Sequence, residues 1–325
     1  MDLEAFLKEW HNDSPTVLVH TSGSTGEPKP MLVEKRRMEA SARITCEFLG
    51  LKKGDCALLC MPLDYIAGKM MVVRALVQEM QLLSIEPSGH PMQHVPSDVR
   101  IDFAAMVPLQ VYNTLQVADE RQRLMQVRHL IIGGGAIDDA MARELQAFPN
   151  AVWSTYGMTE TLSHVALRRL NGPDASEWYS PFPSVSLSLT DDSCLVIDAP
   201  LVCAEQLMTH DIAELSPDGR FRILGRKDNV ICSGGVKIQM EEVERLLRPY
   251  LASPYLITKR RDEKFGEIVV LLTEGDASEA ENVCRQYLPK HWQPRCYLHV
   301  DSIPLTGTGK PARAEAQMLA EKTKK

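Results

Sequence analysis

Between residues 34 and 148, short apolar runs alternate with longer segments of helical composition, and this alternation constrains the fold more than any other feature. The runs 56–61, 103–107 and 129–132 read as buried strands. The segments 34–49 (closed by Gly50), 68–80, 109–125 and 138–148 read as helices. Strands separated by helices cannot pair through tight hairpins, so the pattern predicts an α/β fold with a parallel sheet. After about Ser180 the texture changes. Short alternating segments at 185–189, 194–197, 213–215 and 221–224, with Asp218-Gly219 between the last two, predict antiparallel hairpins. Residues 225–229 read as a junction, and the segments 240–247, 255–259, 267–272 and 277–287 form a small α+β unit. A chain of 325 residues accommodates two such units. The expected division is 1–227 and 228–325.

Charge and composition exclude several classes of function. With 36 Lys and Arg against 43 Asp and Glu, the formal net charge is −7, which leaves no basic footprint for nucleic acid. No apolar run reaches the ~18 residues of a membrane span. The start, Met1-Asp2-Leu3-Glu4, lacks the basic stretch of a secretory signal. Eight cysteines are scattered along the chain. Cys56 and Cys60 stand in a C-x-x-x-C spacing with no partner pair, a poor zinc pattern. Free thiols in a reducing cytoplasm are the expectation. Oligomeric state is not legible.

The chemistry concentrates in a few segments. Residues 16–20 read as a strand, and Thr21-Ser22-Gly23-Ser24-Thr25-Gly26-Glu27-Pro28-Lys29 follows it. Glycines allow close backbone approach, hydroxyls donate to phosphate oxygens and Lys29 offsets charge, so the run can wrap a polyphosphate. A Ser/Gly linker is the competing reading. It is not a Walker A loop, because Lys29 lies between Pro28 and Pro30 rather than after Gly and before Ser or Thr. In Tyr156-Gly157-Met158-Thr159-Glu160-Thr161 a ring can stack on a base, a hydroxyl can hold a phosphate and a carboxylate can hold Mg²⁺. Alternatively the run is a strand-end turn with a surface glutamate. Gly133-Gly134-Gly135-Ala136 follows the strand at 129–132 and admits a flat ligand, or is an ordinary βα turn.

These segments resemble, in order, those of the adenylate-forming superfamily of acyl- and aryl-CoA synthetases, luciferases and peptide-synthetase adenylation domains. The resemblance extends to Pro304-Leu305-Thr306-Gly307-Thr308-Gly309-Lys310-Pro311-Ala312-Arg313 near the end. It implies ATP binding by Thr21, Ser22, Gly23, Ser24, Thr25, Gly26, Lys29, Gly134, Gly135, Ala136, Tyr156, Asp211 and Arg226. It further implies Mg²⁺ on Glu160, catalysis by Thr159, Glu160 and Lys310, a hinge at Asp228, and CoA guidance by Ser233, Gly234 and Gly235. Taken alone, Asp211 reads as a surface aspartate, Lys310 as a tail lysine, and the Gly234-Gly235 turn as a hairpin tip. Only 20 residues precede the phosphate loop, so most of the superfamily's usual N-terminal subdomain is expected to be missing. The run Tyr156 to Ala166 is similar to that of o-succinylbenzoate–CoA ligases of menaquinone biosynthesis. This implies a diacid substrate whose unreacted carboxylate needs a polar or cationic partner. Lys69, Arg74 and His164 are the candidates by position, and Tyr65 stands where the superfamily often has a His gating the acid pocket. Lys69 and Arg74 read equally as a solvated helix face, Arg74 more so. Other acid–CoA ligases, ligases loading a carrier-protein thiol and a non-catalytic nucleotide-binding relic remain open.

Overall fold

The computed structural model describes residues 1–20, 30–135, 137, 139–306 and 311–322. The chain divides into two compact units, one of residues 1–188, 196–207 and 215–222, the other of 189–195, 208–214 and 223–325. The main break between these units falls at 222/223, beside the 227/228 boundary expected from sequence, with two short segments of the second unit inserted earlier.

The first unit opens with helix α1 (Leu3–His11), capped by the Asp2 carboxylate on the Ala5 N–H. Phe6 and Trp10, one turn apart, are its buried face. A two-stranded antiparallel sheet follows, β1 (Thr16–His20) with β2 (Pro30–Glu34), its closing pair His20 and Pro30. Helix α2 (Lys35–Leu49) ends at Gly50, whose N–H bonds back to Cys46 and Glu47. Next come β3 (Cys56–Leu59), α3 (Ile66–Val77), β4 (Gln81–Ser84), β5 (Phe103–Met106), α4 (Pro108–Leu115), α5 (Ala118–Gln126), β6 (His129–Ile132), α6 (Asp139–Leu145), β7 (Ala151–Gly157), β8 (His164–Arg169) and β9 (Ser180–Pro181).

Seven of these strands form one sheet in the order β4-β3-β5-β6-β7-β8-β9. Pairing is parallel from β4 through β7 and antiparallel beyond it. The expected parallel α/β sheet is therefore present, and its inner strand β5, Phe103 to Met106, is buried along its whole length. The expected helix over 109–125 is two helices, because Val117 adopts an extended backbone between them. The joint, Gln116-Val117-Ala118, holds no glycine or proline to mark a break, which conceals it in the sequence.

The antiparallel texture after residue 180 resolves into β10 (Ser186–Leu189), β11 (Cys194–Asp198), β12 (Leu207–Leu215) and β13 (Phe221–Arg226), sequential neighbours in a four-stranded sheet whose residues are shared between the two units. The second unit adds β14 (Val230–Ser233), β15 (Val236–Gln239), α7 (Met240–Leu247), β16 (Tyr255–Asp262), β17 (Gly266–Thr273), α8 (Ala277–Tyr287), β18 (Cys296–His299) and α9 (Arg313–Lys322). Its sheet runs β15-β14-β17-β16, with β18 parallel to β17. One face packs on α7 and α8 through Val243, Leu247, Ala280 and Cys284, the other on α9 through Ala316 and Ala320. No helix among the described residues is long and apolar enough to cross a membrane.

Candidate active site

Parallel pairing brings the carboxyl ends of β6 and β7 side by side, with Ile132 opposite Ser154. Ligands of open α/β sheets bind at such ends. Gly133 to Gly135 extend from β6, and Tyr156 to Glu160 complete and follow β7, so two segments 20 residues apart in sequence share one edge. Gly133 cannot be larger without displacement, since a Cβ there would lie 2.3 Å from Thr155 Oγ1. Ala136 lies outside the described residues.

The Tyr156 ring is held by two aromatic neighbours that the sequence did not single out. Phe221 meets it edge-on at 5.0 Å and Tyr179 at 5.9 Å. Tyr179 is joined to Phe221 by paired backbone bonds of 2.7 and 3.0 Å and to Ser154 Oγ through its hydroxyl at 2.8 Å. Thr159 is buried and Glu160 exposed, on a single 3₁₀ turn. Thr161 ties that turn down, its hydroxyl donating to backbone carbonyls while accepting from Met158 N–H at 3.0 Å. The described residues contain no cluster of three metal-ligating side chains. A lone exposed carboxylate suits Mg²⁺ that arrives on a nucleotide, because that ion keeps waters and takes one or two carboxylates plus phosphates.

Behind this turn runs a buried polar chain. Arg74 donates to Ser163 Oγ, which bonds His164 Nδ1 at 3.1 Å; His164 Nε2 meets Thr45 Oγ1 at 3.1 Å, and Thr45 donates to Ser41 C=O at 3.0 Å. Every proton finds a place when His164 is neutral, donating from Nε2 and accepting at Nδ1. Burial, with Arg74 adding to it, pushes His164 well below the usual imidazole range. Arg74 is 2% exposed, Nε has no partner, and among the described residues no carboxylate pairs with it. Burial lowers its pKa to about 10, so it stays charged at neutral pH. The expectation of a solvated helix face is thus corrected for both cations of α3. Gly68 through Ala75 are all buried, and a helix apolar on every side has no solvated face to offer. That all-round apolarity was the available signal. Lys69 is 3% exposed, with its Nζ 2.6 Å from Leu18 C=O. Tyr65 is 43% exposed at the start of α3.

In the second unit, Arg226 donates to Asp211 at 3.0 Å and to Asp228 at 3.0 Å, and Asp228 also meets His210 Nδ1 at 2.9 Å. Burial opposes ionisation of Asp228, but the bonds from His210 and Arg226 hold its carboxyl below the ordinary range. The two residues expected at a ribose are therefore neighbours, bound into one chain with the expected hinge. Gly234 and Gly235, with φ of 57° and 86°, form the two-residue turn of the β14–β15 hairpin. The turn rests on Phe265, whose ring carries the Arg295 guanidinium at 3.8 Å. Residues 21–29 and Lys310 lie outside the described residues. The chain flanking Lys310 is closed by an antiparallel bridge of Leu305 with Pro311 and by Ala312 N–H to Pro304 C=O at 2.9 Å. Arg313 anchors it, bidentate to Glu244 at 2.7 and 2.8 Å and bonded to Ile257 C=O.

A family model described as AMP-binding enzyme matches residues 4–202, a span containing the phosphate-loop sequence, both sheet-edge segments and the buried chain behind them. The chain belongs to this family of AMP-binding enzymes. It is 24% identical to the 2-succinylbenzoate–CoA ligase of Lactococcus lactis over 94% of its own length and 72% of that protein's. It is 30% identical to an acyl-CoA synthetase (AMP-forming)/AMP-acid ligase II-like protein from Dyadobacter fermentans, covering 97% of this chain and 92% of that one with a TM-score of 0.67. The O-succinylbenzoate coenzyme A synthetase of Bacillus subtilis, solved with ATP and magnesium ion, aligns with a TM-score of 0.77 at 21% identity, over 92% of this chain and 69% of that one. The expected fold class holds, an adenylate-forming α/β part with antiparallel hairpins and a small α+β C-terminal part.

Proposed function

We propose that the protein is an AMP-forming acid–CoA ligase, activating a carboxylate with ATP as an acyl-adenylate and then forming a CoA thioester, and that its acid is o-succinylbenzoate, for menaquinone biosynthesis. The observation that carries the reading is the pairing of Gly133 to Gly135 with Tyr156 to Glu160 at adjacent carboxyl ends of β6 and β7. This places a glycine-lined edge beside a supported aromatic ring, a buried hydroxyl and an exposed carboxylate. The names of the Lactococcus lactis and Bacillus subtilis relatives support the choice of acid.

In the first step the acid's carboxylate oxygen attacks the α-phosphorus of ATP and the α–β bridging bond breaks, releasing pyrophosphate. Tyr156 and Gly134 to Ala136 hold adenine, Asp211 and Arg226 the ribose, and Thr159 the α-phosphate. Residues 21–26 and Lys29 grip the departing pyrophosphate. Lys310 stabilises the negative charge spread over the reacting oxygens, and Glu160 would hold a Mg²⁺ ion, which would supply neutralising charge to the phosphates. In the second step Ser233 to Gly235 guide CoA, whose thiolate displaces AMP, the second unit turning about Asp228 between the steps.

The diacid reading requires a cation for the carboxylate that does not react. Of the three candidates Lys69, Arg74 and His164, Lys69 and His164 have protein partners of their own. Arg74, buried and without a carboxylate, has the unmet electrostatic need. The test is acid-dependent exchange of labelled pyrophosphate into ATP across a panel of acids. The aryl keto-diacid is expected to exceed benzoate, acetate and long-chain acids by about tenfold or more, the equivalent of one charge-assisted hydrogen bond. Arg74→Met is expected to shrink that margin. A preference for a fatty or simple aryl acid, unaffected by Arg74→Met, excludes the diacid assignment. Absence of exchange with every acid excludes adenylation.

A further inference from the structure

The sheet formed by β1 and β2 has only two strands, so each keeps one unpaired edge. At β1 that edge is capped by side chains. Leu18 N–H donates to Glu9 Oε1 at 3.2 Å, and Leu18 C=O accepts from Lys69 Nζ at 2.6 Å. Both polar groups of one residue, midway along the strand, are thus met where a third strand would have met them. Lys69 Nζ also lies 3.6 Å from Glu9 Oε2 and 5.5 Å from the centre of the Phe6 ring. Glu9 Oε2 is itself buried with no hydrogen bond, so that ion contact is what compensates it. Glu9 and Phe6 belong to α1, while Lys69 comes from α3, some 50 residues downstream of the strand it holds.

A lysine 3% exposed is expensive to bury, and a merely structural cap needs no charge. What this pair holds is the strand entering the hydroxyl- and glycine-rich run 21–29, three residues beyond Leu18. We infer that Glu9 and Lys69 are positioning residues for nucleotide binding, fixing β1 so that the run after it meets the terminal phosphates of ATP. The inference rests on the function proposed above, and residues 21–29 enter it only through their sequence. It removes Lys69 from contact with the acid and gives α1 the task of replacing a neighbouring strand.

The consequence is a selective one. ATP carries the terminal phosphates and AMP does not, so loss of the clamp weakens ATP and spares AMP. In the full chain, calorimetric titration with ATP and with AMP separately is expected to show Lys69→Met raising the ATP Kd about tenfold, with the AMP Kd changed less than twofold. Glu9→Gln keeps an acceptor for Leu18 and is expected to raise the ATP Kd about threefold. The double variant, which removes both buried charges, is expected to bind ATP more tightly than Lys69→Met alone. Should Lys69→Met fail to fold, Glu9→Gln carries the same test. Equal loss of ATP and AMP affinity, or an unchanged ratio, overturns the inference and leaves the ligase reading standing. Wild-type protein that binds neither ATP nor AMP overturns both.

Discussion

His164 is a histidine whose neighbours admit only one proton. Its Nδ1 accepts from Ser163, itself donated to by Arg74, and its Nε2 donates to Thr45. A second proton would meet a hydroxyl already aimed at Nδ1 and a buried guanidinium beyond it. Because the folded pKa lies well below the ordinary 6.5, the unfolded chain takes up a proton near that value while the folded chain does not. Stability is therefore full above about pH 6.5 and falls as the pH drops towards the folded pKa, by at most ~1.4 kcal/mol per pH unit for one site. Chemical denaturation at a series of pH values is expected to show this acid-side slope, reduced by one proton in His164→Gln. An identical slope in the variant would mean that His164 titrates normally. His129, pushed down to about 4 chiefly by burial, leaves some acid sensitivity in either protein.

At the level of elements, the site depends on how β7 ends. The β7–β8 ladder shifts register between Tyr156 and Gly157, and the intervening turn carries Thr159 and Glu160. The return of the chain is so close that a Cβ on Gly157 would lie 2.3 Å from Ser163 O and 2.5 Å from His164 Cα. Both are backbone atoms and cannot rotate aside. Gly157→Ala is expected to destabilise the first unit by about 1–3 kcal/mol or more, measured as a lowered denaturation midpoint. The comparison is Gly133→Ala, where the obstacle is the Thr155 side chain. There a second change, Thr155→Ala, is expected to restore stability and nucleotide binding. Nucleotide binding unchanged in a folded Gly133→Ala variant would mean that the β6 edge does not serve the nucleotide.

For the molecule as a whole, turnover in the proposed scheme requires rotation about Asp228. That residue sits in a 3₁₀ turn, Lys227 to Asn229, whose φ a proline tolerates, and it holds His210 and Arg226. Asp228→Ala removes those bonds, and Asp228→Pro removes them and also fixes φ. The alanine variant is expected to retain both half-reactions at reduced rates. The proline variant is expected to keep one and lose the other, read as pyrophosphate exchange and as thioester formation from supplied acyl-adenylate; identical behaviour of the two variants would exclude a hinge at this position. Local chemistry made much of this protein legible from its residues alone. Periodicity marked β1, β6 and the helix ending at Gly50, because strand and helix bury their apolar faces at different spacings. Ordered short motifs marked the segments that the fold then set side by side at the ends of β6 and β7. Long-range contacts were not legible, since spacing along a chain carries no record of which distant groups become neighbours. Lys69 and Arg74 lie five residues apart on one buried helix. One is 2.6 Å from the Leu18 carbonyl of β1 and the other donates to Ser163 behind the Glu160 turn, and burial without water is what gives each cation its partner and its task.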